Sequence, residues 1–71
     1  MKAHLRRSDI DPRLYYIYVI APNGNPTREM AHNGEHELRW FLQGSGVPAD
    51  EVAKLLNTAP GAECWFQVKD A

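Results

Sequence analysis

The apolar positions of this chain change their period along its length, and the longest uninterrupted apolar run comes near the start. Residues 14–20 read Leu-Tyr-Tyr-Ile-Tyr-Val-Ile, so every position is aliphatic or aromatic. A short run of this kind is typical of a strand that is covered on both faces. It predicts the central strand of a sheet.

A turn and a second strand are predicted next. Residues 22–26 read Pro-Asn-Gly-Asn-Pro, and Asn-Gly is a strong signal for a tight hairpin turn. The segment 27–32 that follows is short and of mixed polarity. Its charged residues Arg28 and Glu29 would discourage edge-to-edge association, so this segment is predicted to be an edge strand.

Two helices are predicted between residues 33 and 57. The first would begin after Asn33, a good N-cap residue, and end at Gly44 or Gly46. The second would begin near Pro48, which suits a first helical turn, and end at Asn57. Their apolar stripes consist of Leu38, Phe41 and Leu42 in the first helix and Val52, Leu55 and Leu56 in the second.

Residues 63–69 alternate between apolar and polar positions, as a half-buried strand does. Cys64, Phe66 and Val68 lie on one face, and Trp65 and Gln67 on the other. The order of elements is ββααβ, which predicts an α+β fold of two layers: a three-stranded sheet with both helices packed on one face. The last strand would lie beside strand 14–20 and parallel to it, or the strands would follow chain order, all antiparallel.

Residues 1–12 are polar, and we expect them to form a flexible basic arm before a single domain at 13–71. The net charge of the chain is −1, yet residues 1–13 carry four cationic and two anionic side chains. The folded part would then be acidic. Long-range attraction of phosphate would come from the arm alone.

Length and composition favour a binding protein over an enzyme. A chain of 71 residues builds a modest core, and an enzyme pocket of ~300–1,000 Å³ would compete with that core for volume. Cys64 is the single cysteine, whereas small secreted domains carry several. With no long apolar segment either, we expect a soluble cytoplasmic protein that does not enter membranes and uses no cofactor.

Residues 38–56 have the spacing of a helix-turn-helix, with Gly-Ser-Gly between the two helices. A DNA-reading motif needs cations around the start of its second helix. Here that helix begins with Asp50 and Glu51, and its one cation is Lys54. These carboxylates would face the phosphate backbone, so the pair is interpreted as the helical half of a small core.

Two further groups of residues are candidates for a chemical site. His32 and His36 are four residues apart, with His4 and neighbouring glutamates as conceivable further ligands, but Asn33-Gly34 separates them and zinc needs three or four convergent ligands. No metal site is therefore expected, and these histidines are interpreted as capping or solvated. Cys64 alternates with Phe66 and is interpreted as a small core residue rather than a nucleophile.

The reverse face of the predicted sheet is the candidate working surface. No element remains to cover it, and an exposed aromatic patch on a small protein usually marks an interaction site. We expect a non-enzymatic module that forms a homodimer or docks another protein. Its predicted contact residues are Tyr16, Tyr18, Trp65, Gln67 and Arg28, with Met30 or His32 beside them.

Two alternatives remain open for that face. The aromatic side chains would stack the bases of single-stranded nucleic acid if Arg6, Arg7 and Arg13 of the arm supplied phosphate contacts. Alternatively, the arm would fold over the face, with Leu5 and Ile10 as the cover.

Overall fold

The structure is a computed structural model that describes residues 1–69 as four strands and two helices. The strands are β1 (Lys2–Arg7), β2 (Leu14–Val19), β3 (Met30–Asn33) and β4 (Glu63–Gln67), and the helices are α1 (Glu35–Gly44) and α2 (Ala49–Leu56). Both helices lie between β3 and β4 in the chain, as the apolar pattern predicts. The α+β class with two helices is confirmed.

The sheet has four strands in the order β3-β2-β1-β4, and every neighbouring pair is antiparallel. The prediction of three strands is therefore wrong, because the segment expected to be a flexible arm supplies β1. Ala3 and Leu5 of β1 are fully buried. Their burial on one face of the strand, between polar neighbours, explains why this segment pairs with strands on both sides instead of remaining in solvent.

Strand β1 also changes the strand order. It separates β2 from β4, and since it is antiparallel to both, these two strands run in the same direction without being neighbours. The prediction that the last strand lies beside strand 14–20 is wrong for this reason. The alternative in which strands follow chain order is wrong as well.

The hairpin between β2 and β3 and the start of α1 depend on two glycines with positive φ. Gly24 (φ 87°) lies in the turn, where its N–H donates to the carbonyl of Ala21 at 2.8 Å. The N-cap of α1 is Gly34 (φ 94°, ψ 161°) rather than Asn33. Asn33 stays in β3, and its N–H donates to Oε2 of Glu37 at 3.3 Å.

One hydrophobic cluster joins alternate residues of the strands to the apolar stripes of both helices. We call the strand face that contributes to it the core face. The cluster consists of Ala3, Leu5, Tyr15, Ile17, Leu38, Leu42, Val47, Val52, Leu55, Leu56, Phe66 and Val68. Because side chains alternate along a strand, the residues between these point to the opposite face of the sheet.

Candidate interaction surface

The opposite face gathers aromatic rings from three adjacent strands. In the register of the sheet, His4 of β1 lies opposite Tyr18 of β2 on one side and Trp65 of β4 on the other. The ring centroid of His4 is 5.1 Å from that of Tyr18 and 4.8 Å from that of Trp65, and Tyr18 lies 6.0 Å from Trp65. These separations are typical of favourable ring pairs. The position of β1 between β2 and β4 brings these three rings together.

Cationic side chains of β1 lie over two of the exposed rings. Nζ of Lys2 is 4.8 Å from the ring centroid of Trp65, and the guanidinium of Arg6 is 4.6 Å from the ring centroid of Tyr16. Both are within the ~6 Å range of a cation–π contact. Together with His4 and Tyr18, these residues and Gln67 define what we call the aromatic face.

Two carboxylates lie beside basic side chains of this face. Oε2 of Glu63 lies 3.3 Å from Nε2 of His4, and Oε1 of Glu29 lies 3.5 Å from the guanidinium of Arg6. The exposed pair of Arg6 and Glu29 contributes at most ~1 kcal/mol. The main consequence of the two carboxylates is that the aromatic face carries both signs of charge and has no strong net charge.

Solvent exposure varies across the aromatic face. His4 is only 8% exposed although it carries no apolar side chain, whereas Trp65 is 49% exposed. Tyr16 and Tyr18 are half-buried. The half-exposed indole beside the Tyr18 ring is the main apolar surface that this face offers to a partner.

The structure brings together four of the five predicted contact residues. Tyr16 and Tyr18 lie on the aromatic face with Trp65 and Gln67, since they pair with Arg6, His4 and Lys2 of β1. Two residues that sequence analysis missed, Lys2 and His4, lie there too. The alternation of polar and apolar residues in the segment Lys-Ala-His-Leu-Arg was the signal for them.

Arg28 does not belong to this group, which corrects the prediction. Met30 pairs with Ile17 of the core face, and a residue two positions earlier points to the same side. Arg28 accordingly lines a groove with Met30 and Phe41. His32 pairs with Tyr15 and packs against Phe41 at 4.7 Å between ring centroids, so it too faces the core side.

The three arginines proposed for nucleic-acid contact do not form one basic patch. Arg6 alone lies on the aromatic face. Arg7 donates from Nη1 to the carbonyl of Thr58 at 2.8 Å and from Nε to that of Pro12 at 2.7 Å. Arg13 is exposed beside Asp11, with 3.5 Å between Nε and Oδ1.

The aromatic face is not covered by the residues suggested as its lid. Leu5 is fully buried within the core cluster, and Ile10 is 94% exposed. Ile10 belongs to a turn in which Oγ of Ser8 accepts hydrogen bonds from the N–H groups of Ile10 and Asp11. The N-terminal segment contributes to the face as a strand within the sheet.

The histidines and the cysteine show no convergent chemistry. Among residues 1–69, no group of three or more His, Cys, Asp or Glu side chains is placed to hold a metal ion. His32 is buried beside Glu37, with 3.6 Å between Nδ1 and Oε1, so its interpretation as a solvated or capping residue is wrong. Cys64 packs against the core cluster, and its Sγ lies 3.8 Å from Oγ1 of Thr58.

A second surface feature is an open groove of about 730 Å³ between the end of α1 and the ends of β2 and β4. Its walls are mostly apolar, and two cationic side chains, Arg28 and Lys69, contribute to the lining. The apolar part of the lining is formed by Met1, Val19, Ala21, Met30, Phe41 and Val68.

Comparison with known proteins does not assign a function to these surfaces. No family model, no curated protein and no solved structure matches the chain. Neither helix of the described residues is long and apolar enough to cross a membrane.

Proposed function

We propose that this protein is a small non-enzymatic interaction module that self-associates through its aromatic face. In this proposal the fold has two layers: both helices pack on the core face of the sheet, and the aromatic face remains open. The observation that carries the proposal is Trp65, which is 49% exposed and packs against the rings of His4 and Tyr18. Exposed aromatic patches of this kind usually mark interfaces.

The charge distribution favours a second copy of the chain as the partner. In a two-fold symmetric interface the same surface meets itself, so a face of one charge sign would repel its copy. The aromatic face carries the cations Lys2 and Arg6. It also carries the carboxylates of Glu29, beside Arg6, and Glu63, beside His4. A small domain also gains buried apolar area by pairing, which its own modest core lacks.

The dimensions of the sheet set the expected strength of this association. Four strands spaced ~4.8 Å apart, with about five residues each at ~3.3 Å, give a face of roughly 20 by 17 Å. That is smaller than the ~800 Å² per partner of a standard stable interface. The dimer should therefore be weak and depend on protein concentration.

Single-stranded nucleic acid is the alternative use of the same face. Stacking on Tyr16, Tyr18 and Trp65 would remain available, but Arg6 would be the one arginine of the three to contact phosphate there, since Arg7 is held by backbone carbonyls. The placement of these arginines supports the protein partner over nucleic acid. An intracellular, cytoplasmic setting is part of the proposal, because Cys64 is the single cysteine and small secreted domains carry several.

Sedimentation equilibrium from low to high micromolar concentration tests the proposal. We expect a monomer–dimer equilibrium. Trp65→Ala and Tyr18→Ala should each raise the dissociation constant of the dimer. Trp40→Ala is the matched control, because Trp40 is 77% exposed on α1, away from the aromatic face. A wild-type chain that stays monomeric throughout would overturn self-association. Binding of single-stranded DNA that falls steeply with salt would favour the alternative instead.

A further inference from the structure

The two outer strands of the sheet differ in how much of their backbone remains available. Met1 and Val68 exchange hydrogen bonds in both directions, and Arg7 donates its N–H to the carbonyl of Ala62. Because residues two positions apart repeat this arrangement in an antiparallel pair, Cys64 and Phe66 direct their backbone groups toward β1. The backbone groups of Glu63, Trp65 and Gln67 then point away from the sheet.

Contacts at the ends of the outer strands leave these three residues as the longer open stretch of edge. The N–H of Lys69 donates to the carbonyl of Ser45 at 2.9 Å, which closes the edge of the sheet beyond β4. On the other side, β3 has only four residues, and the outward N–H of Asn33 donates to Glu37. Within residues 1–69, Glu63, Trp65 and Gln67 have no backbone partner on their outer side.

A groove of about 460 Å³ runs beside this open edge. One side consists of Trp65, Phe66 and Gln67 of β4, and the other of Pro48, Asp50 and Glu51 at the start of α2. In the part of the chain that the structure describes, neither Asp50 nor Glu51 forms an ion pair. The groove therefore combines unpaired strand backbone with two free carboxylates.

We propose that this edge binds an extended cationic peptide segment, which adds to β4 as a fifth strand. Main-chain hydrogen bonds to Glu63, Trp65 and Gln67 would supply affinity, as in other complexes formed by strand addition. Alternate side chains of the segment lie on the side of the groove. Lysine or arginine there meets Asp50 and Glu51, so the acids select a basic segment.

The same carboxylates disfavour a second copy of this chain on the edge. Pairing β4 with β4 of another copy places both α2 helices beside one junction. Asp50 and Glu51 of each copy then approach those of the other, and like charges near an open edge are a common protection against such pairing. A cationic segment is attracted to these carboxylates, whereas a second copy places two more carboxylates beside them.

This inference does not depend on the proposed self-association. The aromatic face is formed by side chains that project from the sheet, whereas the edge uses the backbone of β4 and the start of α2. Asp50 and Glu51 lie outside the aromatic face, and Tyr18 lies two strands away from the edge. Substitutions at these positions therefore test the two surfaces separately.

The test uses a fluorescent eight-residue peptide of alternating Lys and Val, long enough to span the ~17 Å of a five-residue strand. Its Glu-Val counterpart is the control ligand. Anisotropy reports affinity, and amide shifts in ¹⁵N-labelled protein report the place of binding. We expect the Lys-Val peptide to bind at least tenfold more tightly than the Glu-Val peptide, with the largest amide shifts at Glu63, Trp65 and Gln67.

Two variants test the contacts separately. The double substitution Asp50→Lys with Glu51→Lys should weaken Lys-Val binding at least tenfold and reverse the preference between the peptides. Gln67→Pro removes one outward N–H and should also weaken binding at least tenfold, since edge positions tolerate proline. Ala31→Pro, at the outward position of β3, is the matched control and should leave affinity unchanged.

Several outcomes would overturn the assignment. Equal binding of both peptides, or amide shifts confined to the aromatic face or to β3, would show that the edge does not select a cationic strand. A dimer lost in Gln67→Pro but retained in Tyr18→Ala would identify a second copy as the occupant. If Gln67→Pro fails to fold, the charge-reversal variant, which alters no strand residue, decides the question.

Discussion

His4 and Trp65 lie directly opposite each other on the antiparallel strands β1 and β4, with 4.8 Å between their ring centroids. The imidazole is 8% exposed and the indole is 49% exposed, so the histidine supports one side of the ring that a partner would contact. Tyr18 also stacks on His4, with 5.1 Å between ring centroids. The most polar of these three residues is thus the packed centre of the aromatic face.

His4→Ala should lower the free energy of unfolding by about 1–3 kcal/mol, because it removes two ring contacts worth ~0.5–1.5 kcal/mol each. Urea denaturation measures the change. His36→Ala is the control, since His36 is exposed on α1 and surface substitutions stay within ~0.5 kcal/mol. Equal losses in both variants would contradict a packing role for His4.

Leu5→Ala should lower the free energy of unfolding by about 2–5 kcal/mol, as expected for a buried leucine. Leu5 is fully buried, whereas Ile10 in the adjoining turn is 94% exposed. Ile10→Ala should therefore change stability by less than ~0.5 kcal/mol. Thermal and urea unfolding distinguish the two. A tolerated Leu5→Ala would mean that the N-terminal segment is a flexible arm after all.

Phe66→Ala should lower the free energy of unfolding by about 3–5 kcal/mol, because its ring is 5% exposed and belongs to the core cluster. Trp65→Ala removes a larger but half-exposed ring and should cost clearly less. Urea denaturation of the two variants compares the two faces of β4. A greater loss in Trp65→Ala would show that the core face and the aromatic face have been exchanged.

Gly34→Ala should lower the free energy of unfolding by about 1–2 kcal/mol, because φ at this position is 94° and a Cβ is disfavoured there. The space around it is open, with no atom within 4 Å of the added Cβ, so the cost would be conformational. Gly44→Ala provides the comparison. Gly44 also has open space but lies within α1 without a positive φ, and alanine there should stabilise by up to ~1 kcal/mol.

Local patterns were sufficient for much of the fold and for part of the candidate site. The seven-residue run at 14–20 and the alternation at 63–69 predict the strands β2 and β4, and they assign Tyr18 and Trp65 to the face opposite Phe66. The helices are predicted in the same way, from the spacing of apolar residues and from the Gly and Pro residues near the helix ends. These features are local, because the period of side-chain direction is a property of each element by itself.

Strand neighbours were decided only by the tertiary structure. Residues 2–7 offer just Ala3 and Leu5 to a core, and their pattern is weak beside four charged or polar neighbours. Inserting this segment between β2 and β4 satisfies backbone hydrogen bonds on both of its sides and buries both apolar residues. No local signal reports that gain, because it depends on two strands that are distant in sequence.

Register is the second feature that the sequence by itself left undetermined. Arg28 follows a turn whose exact pairing sets its side, and a shift of one residue would move it to the opposite face. The pairing of Met30 with Ile17 places it on the groove side. The alternation of side chains along a strand is thus determined by the sequence, whereas the neighbour and the register of each strand depend on the packing of the whole molecule.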